Sequence, residues 1–454
     1  MFTNRTKAVN SMDKKRIEWT IIWASFIVFG AYSFLHGPQF GDDSYGYLRM
    51  DLYRPIGYPL ILFFLEVFGN YHQFAVIIFQ IAINIGAGAF FLKKIKKIFG
   101  LDFFSNLIVL VILLFTIVSY SKPNVLLTEA VTFPLFLIVA IYIVESIISH
   151  NNRYLYKAII LSTLIFLIRE QFLILYPIIG LLYLYNLLYW NKNKFSLRVL
   201  ATFIAANILL LIAASTLNKT YHYLLHDTFS NPHSNVSIFP TLAYSSDLSD
   251  SELFNDPEIQ DSFRDIYQLI DEKGYTMKYF YENIYNKLPP EERQRRLLIQ
   301  HYHENFENIQ NTVRNYYGQD DKSIPGRNER HLKMESAVDI MTGELIKSHF
   351  STFMYLNLAD IFVYAFNAEK GYLGIFFLIC MICLYGLLKG HQYGTILFFF
   401  LALHITNLLA SSLSIKIIPR YTFYTIFMIS VIHVIYFYKF IIKEKVKRPQ
   451  NKIL

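Results

Sequence analysis

The sequence predicts an all-α polytopic membrane protein, with about ten transmembrane helices, cytoplasmic termini and a mainly helical domain on the outer face. Three observations carry that expectation. Of the 454 residues, 54% are hydrophobic and 17% aromatic, and the mean hydropathy is +0.33, too apolar for an ordinary soluble chain. Apolar runs of about 20 residues, the length a bilayer requires, recur along the sequence. Lysine and arginine collect in short segments between those runs, the pattern by which membrane topology is encoded. The same distribution argues against nucleic acid as a partner despite a net charge of +8. Cys380 and Cys383 lie three apart in an apolar run, which reads as small core residues and implies no disulfide framework.

Arg5, Lys7, Lys14, Lys15 and Arg16 precede the first run, at 19–35. That run is long for a signal-peptide core and lacks a small-x-small cleavage site, so it reads as a retained anchor. Further runs follow at 72–92, 103–119, 125–147, 155–168, 171–190, 197–216, 371–388, 394–411 and 422–441. With the N-terminus inside, the inner loops hold Lys93, Lys94, Lys96 and Lys97, then Arg153 and Lys157, then Lys192, Lys194 and Arg198, then Lys389 and the basic tail. The outer loops hold only scattered cations, so ten spans satisfy the positive-inside rule throughout. Residues 54–69 and 348–366 are also apolar, but inserting either would reverse the partition, and both are expected to lie on the membrane surface. Residues 217–347 are polar and charged, and long enough for a folded unit. The expected organisation is a membrane domain over 1–216 with a catalytic first outer loop at 37–70, an extracytoplasmic domain over 217–347, and a C-terminal membrane part over 348–454.

The first outer loop holds the chemistry. It contains Gly41-Asp42-Asp43-Ser44-Tyr45-Gly46-Tyr47, then Arg54-Pro55-Ile56-Gly57-Tyr58-Pro59 leading back to the membrane. Asp43 and Tyr47 stand i,i+4 and would share a face of any helix beginning near Asp43. The rival use of Asp42 or Asp43 is structural, as a helix N-cap. Proline fixes its own φ and restricts its predecessor, so Arg54 and Tyr58 are expected to be extended.

An outer-loop Asp with Tyr four residues on, followed by R-P-x-G-Y-P entering an apolar helix, resembles the GT-C class of glycosyltransferases. These are multi-spanning enzymes that use polyprenyl-phosphate sugars, and they include protein O-mannosyltransferases and the transferase that adds aminoarabinose to lipid A. Their pattern is similar to Asp-Glu-x-x-Tyr; aligned on Tyr47, Asp43 takes the Asp position and Ser44 replaces the Glu. The specific match covers residues 41–59. The resemblance implies Asp43 as catalytic base, with Asp42 as helper or cap, and substrate contacts from Tyr47, Arg54 and Tyr58.

Topology adds further candidates. Glu129 opens the fourth span and is costly if it faces lipid. It reads either as a second acid across the cleft, as the resemblance implies, or as a salt-bridge partner of Lys122 or Arg169. Arg169 and Glu170 either turn a helical hairpin or offer Arg169 to a phosphate. Lys416, Arg420 and Tyr421 precede the last span; a guanidinium there suits a lipid-linked phosphate, and an Arg-Tyr pair at this place fits the resemblance. His222, His226 and Asp227 have a spacing that could reach one ion, but no clear third ligand follows.

The expected activity is an inverting sugar transfer from a polyprenyl-phosphate donor to a hydroxyl of a lipid, glycan or protein acceptor. It would occur at the periplasmic or exterior face of the inner (plasma) membrane, among membrane lipids. The sequence fixes no cofactor, and a divalent cation remains open. The alternatives are an O-antigen-type polysaccharide polymerase or ligase, and a lipid-linked glycan transporter or flippase. A flippase would place its ionisable residues near the bilayer midplane, within repeated halves.

Overall fold

The computed structural model describes residues 2–41, 43–190, 196–229, 237–318, 327–361, 363, 392–414 and 419–438; these are almost wholly helical and contain no β-strand. Seven of the described helices are long and apolar enough to cross a membrane: Arg16–Leu35, Gly57–Phe99, Phe103–Ser121, Glu129–Ser149, Glu170–Tyr189, Leu197–His226 and Gln392–Ser411. The fifth expected span, 155–168, is a helix of 16 residues, about 24 Å long at ~1.5 Å per residue and so shorter than the ~30 Å core. The last lies in the 19-residue helix Pro419–Phe437, whose shorter apolar part is Thr422–Tyr436. The expected span at 371–388 lies outside the described residues.

The chain divides into two compact units, residues 1–221, 380–404 and 422–454, and residues 222–379 and 405–421. The first unit contains α1 (Phe2–Leu35), α2 (Ser44–Leu48), α3 (Gly57–Leu65), α4 (His72–Phe99), α5 (Phe103–Thr116), α6 (Glu129–Ser149), α7 (Arg153–Ile168), α8 (Leu175–Tyr185), α9 (Leu197–His226) as far as Tyr221, and parts of the helices Gln392–Ser414 and Pro419–Phe437. The apolar stretch Gly57–Phe99 is 43 residues long, about twice what a bilayer needs. Gly69, at φ 54° and ψ −125°, breaks it into α3 and α4, a backbone turn glycine adopts without steric cost. Phe63, Phe64, Val67 and Phe68 around that break are exposed, an apolar face open to lipid.

Among the described spans α6 is the most buried. It contains Pro134, which has no N–H for the carbonyl of Ala130 one turn back. Asn84 on α4 fills that gap: its Nδ2 donates to the Ala130 carbonyl at 2.7 Å, while its Oδ1 accepts from Ser121 Oγ at 3.1 Å. At the other end of the bundle, buried Glu18 on α1 is met by Lys96 of α4 and by Asn106 Nδ2 of α5 at 2.7 Å, and Lys94 reaches Glu145 of α6 at 2.5 Å. Ile204, Ile208, Leu209 and Ile212 of α9 are exposed, as suits a helix facing lipid.

The second unit packs helices Phe239–Ser245, Pro257–Glu272, Arg295–Tyr316 and Arg327–Asp360 around Leu242, Phe263, Ile266, Ile309, Val338, Met341 and Leu345. Asp256 caps the second of these, accepting from the Glu258 N–H at 2.9 Å, with Pro257 at its first position. The segment expected to begin a surface-lying helix at 348 instead continues the helix Arg327–Asp360 past a kink at His349. It buries Phe353 and Leu356 in this unit's core. An apolar stripe satisfies a protein core and a lipid surface equally well, and the charge partition does not distinguish them. His349 Nε2 lies 2.9 Å from Asp250 Oδ2, and His303 Nδ1 lies 2.8 Å from Asp360 Oδ1.

Candidate functional site

The acidic turn after α1 is fastened to the segment that opens α6. Gln39 N–H donates to the Asn124 carbonyl at 2.9 Å, and Leu126 N–H donates back to the Gln39 carbonyl at 3.0 Å. Ser44, fully buried, donates from Oγ to the Leu126 carbonyl at 2.7 Å and accepts from Gly41 N–H at 2.8 Å. The residue standing where the resemblance expects a second acid is therefore a tether. A carboxylate there could not donate to that carbonyl.

Asp43 occupies the N-cap position of α2, but its side chain makes no capping hydrogen bond. Its Oδ1 accepts from Arg54 Nη2 at 2.6 Å, with the two side chains 26% and 15% exposed. The expected shared face is realised: Tyr47, one turn along α2, accepts from Arg54 Nη1 at 3.4 Å. The Arg54 guanidinium carbon lies 4.4 Å from the Tyr47 ring centre and 4.7 Å from that of Tyr53. Tyr53 donates to Asp51 Oδ2 at 2.9 Å, and Arg49 pairs with the same oxygen at 3.3 Å. A Cβ on Gly46 would lie 2.9 Å from Arg54 Nε and 3.2 Å from Nη2, so glycine leaves room for the guanidinium edge.

Burial pushes the Tyr47 phenol upward; Arg54 pulls against that and Asp43 adds to it, so the hydroxyl stays protonated. For Arg54, burial works to lower the pKa and the Asp43 carboxylate beside it works to raise it.

Tyr58 is not extended. It lies in the first turn of α3, where Pro59 costs no helix hydrogen bond. Its ring meets Tyr47 edge-on at 5.1 Å, and its hydroxyl donates to Gln80 Oε1 at 3.2 Å. Gln80 Nε2 in turn donates to the Val125 carbonyl at 3.0 Å. Ile56 N–H donates to Asn218 Oδ1 of α9 at 3.0 Å, fixing the other side of the Arg54–Pro55 turn.

Glu129 is the first residue of α6, where a negative charge suits the helix N-terminus. Its Oε1 lies 2.5 Å from Arg169 Nη1, just past the end of α7. Thr128 Oγ1 donates to Glu129 Oε2 at 3.2 Å and Arg169 Nε to Gln171 Oε1 at 2.8 Å. Of the two readings open for Glu129, the geometry is that of the salt bridge to Arg169. Tyr424 shares a hydrogen bond with Thr132 Oγ1 at 2.7 Å and meets Phe172 edge-on at 4.9 Å.

Asp43, Tyr47, Arg54 and Tyr58 thus form one contact group, and Glu129 and Arg169 a pair. Asp42 and Lys416 lie outside the described residues, as do the side chains of Arg420 and Tyr421, whose backbone lies in the helix Pro419–Phe437. Sequence reasoning missed Tyr53 and Gly46, which complete the Arg54 seat, and the amides Gln80 and Asn84. The amides had a signal, two uncharged polar residues one turn apart in an apolar span.

Asp43 and Glu129 each face an arginine, and among the described residues no three His, Cys, Asp or Glu side chains converge. His222 and His226 are stacked at 5.9 Å, and His226 Nδ1 lies 3.2 Å from Asn328 Nδ2. Comparison with protein-family models, curated proteins and solved structures finds no match to this chain.

Proposed function

We propose that the chain is a membrane glycosyltransferase that moves a sugar from a polyprenyl-phosphate donor to an acceptor hydroxyl on the outer face, with inversion. The supporting observation is the Asp43–Arg54 pair, a carboxylate unused as a helix cap and a guanidinium 4.4 and 4.7 Å from the Tyr47 and Tyr53 ring centres. A base and an anion-binding cation are the two charges that such a transfer needs.

In this reading Asp43 takes the proton from the acceptor hydroxyl. The acceptor oxygen forms a bond to the anomeric carbon as the bond from that carbon to the phosphate oxygen breaks, and the electron pair leaves with polyprenyl phosphate. Cations aimed at the departing phosphate stabilise the transition state more than the ground state. On sequence grounds Arg420 and Lys416 supply such charge, whereas Arg169 is already neutralised by Glu129. Ten spans with both termini inside would put the Asp43 loop outside, where a lipid-linked donor is available and nucleotide sugars are not. Exposed apolar faces on α3 and α9 suit an isoprenoid chain approaching through lipid.

The test is sugar transfer by the purified protein with a panel of polyprenyl-phosphate sugars, comparing wild type with Asp43→Asn and Asp42→Asn. Asp43→Asn should lose at least ~100-fold of the rate, and Asp42→Asn much less. Full transfer by a folded Asp43→Asn protein would remove the proposed base.

A further inference from the structure

We propose that the second unit rests on a lipid surface through residues 350–358 of its longest helix and the adjoining turn at 281–285. Phe350 and Leu358 enter the acyl boundary there, and Tyr281 and Tyr355 stand at headgroup level. This contact requires no transferase activity.

The helix Arg327–Asp360 changes character at its kink. Before His349 its exposed positions include Glu329, Lys333, Asp339 and Lys347, the charges of a face turned to water. From 350 to 359 there is no charged residue. One side of this limb buries Phe353 and Leu356 in the core, yet the other leaves Phe350, Tyr355 and Leu358 exposed, Phe350 by 57%. Asp360, the carboxylate that ends the helix, is buried and faces His303. A helix between a core and water keeps one side polar. Apolar residues on both sides suit a helix held between a core and lipid.

The neighbouring turn carries the chemistry of a headgroup layer. Tyr281 and Ile284 are exposed, and the Tyr281 phenol lies within electrostatic reach of Tyr355 and Arg295. Tyr285 meets Tyr281 edge-on at 5.4 Å, and the Arg293 guanidinium carbon lies 6.0 Å from the Tyr285 ring centre. Tyrosine is apolar in body and polar at its tip, and with basic neighbours it gathers where acyl chains give way to headgroups. Chain length supplies the bilayer. The next expected span starts at residue 371, and the linker 361–370 reaches no more than about 40 Å even when fully extended. Lipid is therefore always within reach of this face, whereas a second protein must be recruited to it.

The experiment places labels on the face. Full-length protein with Cys380→Ser and Cys383→Ser is reconstituted in nanodiscs of phosphatidylethanolamine and phosphatidylglycerol. Single cysteines from Tyr355→Cys, Leu358→Cys and, on the charged limb, Lys333→Cys carry an NBD fluorophore. Each is quenched in turn by doxyl-labelled lipid and by aqueous iodide. Labels at 355 and 358 should emit to the blue of the label at 333, yield to doxyl lipid and resist iodide, while the label at 333 does the reverse. Phe350→Glu, which withdraws a ring from lipid and adds a charge, should shift the docked fraction seen at 355 about tenfold toward water. Equal behaviour of the three labels overturns the proposal. So does shielding of 355 and 358 from both quenchers, which makes the face a contact with protein, whether a later segment of this chain or a second copy. Lipid quenching at 355 left unchanged by Phe350→Glu overturns it too, since the contact would then owe nothing to this face.

Discussion

Arg169 reaches across from the end of α7 to place Nη1 2.5 Å from Oε1 of Glu129 at the start of α6, with side chains only 11% and 4% exposed. Two charges so far from water are costly unless each has the other. Removing one partner, by Glu129→Gln or Arg169→Ala, should destabilise the protein by about 3–5 kcal/mol. The double variant Glu129→Gln/Arg169→Gln should lose less than the sum of the single changes. Chemical unfolding in detergent measures all of them, and single variants as stable as wild type would show that the pair is dispensable.

Asn84 and Pro134 form a second dependency. Asn84→Ala strands the Ala130 carbonyl, which Pro134 cannot reach with an N–H, and should cost about 1–3 kcal/mol. Pro134→Ala in the same chain restores the missing donor and should recover part of that loss. A double variant no more stable than Asn84→Ala would refute the assignment.

Gly46 permits the Arg54 seat. Gly46→Ala puts a methyl 2.9 Å from Arg54 Nε and 3.2 Å from the Tyr53 hydroxyl. The guanidinium must shift, and a misplacement near 1 Å is enough for roughly a 100-fold loss of transfer. Melting should change less than transfer, because α2 is only five residues long. Transfer assays paired with thermal unfolding separate the two effects.

His301 makes the second unit acid-sensitive. Its Nε2 faces the Gly274 carbonyl at 3.1 Å, which needs a donor, so Nδ1 of the neutral ring accepts from the Tyr244 hydroxyl at 3.0 Å. Burial lowers the His301 pKa below its ordinary value of 6.5, against the opposing Gly274 hydrogen bond. The unfolded chain therefore takes up this proton more readily than the folded one. The contribution is complete above about pH 6.5 and is lost as pH falls from there through the folded value. Proteolysis within residues 295–316 should start at lower temperature at pH 5 than at pH 7.5, and His301→Gln should flatten that difference.

The long apolar runs were legible because a helix in lipid must be apolar over its whole length. The Asp43–Tyr47 spacing was legible because both ends of the relationship lie within one helical turn. Arg54 was legible as a neighbour in sequence but not as the partner of Asp43, since that contact depends on how 49–53 turn. Ser44 and Gly46 were opaque for the same reason. Their roles are set by Leu126, 82 residues away, and by a guanidinium that folds back over α2. The stretch from 348 shows the converse limit, where one composition fits two solvents.

The tether between Ser44 and Leu126 also sets an order of assembly. The acidic turn leaves the ribosome early, but the carbonyls that hold it belong to residues 124 and 126. Translation must run through α3, α4 and α5 before the turn can close. In the nascent chain the turn would therefore stay unlatched until the start of α6 arrives to hold it.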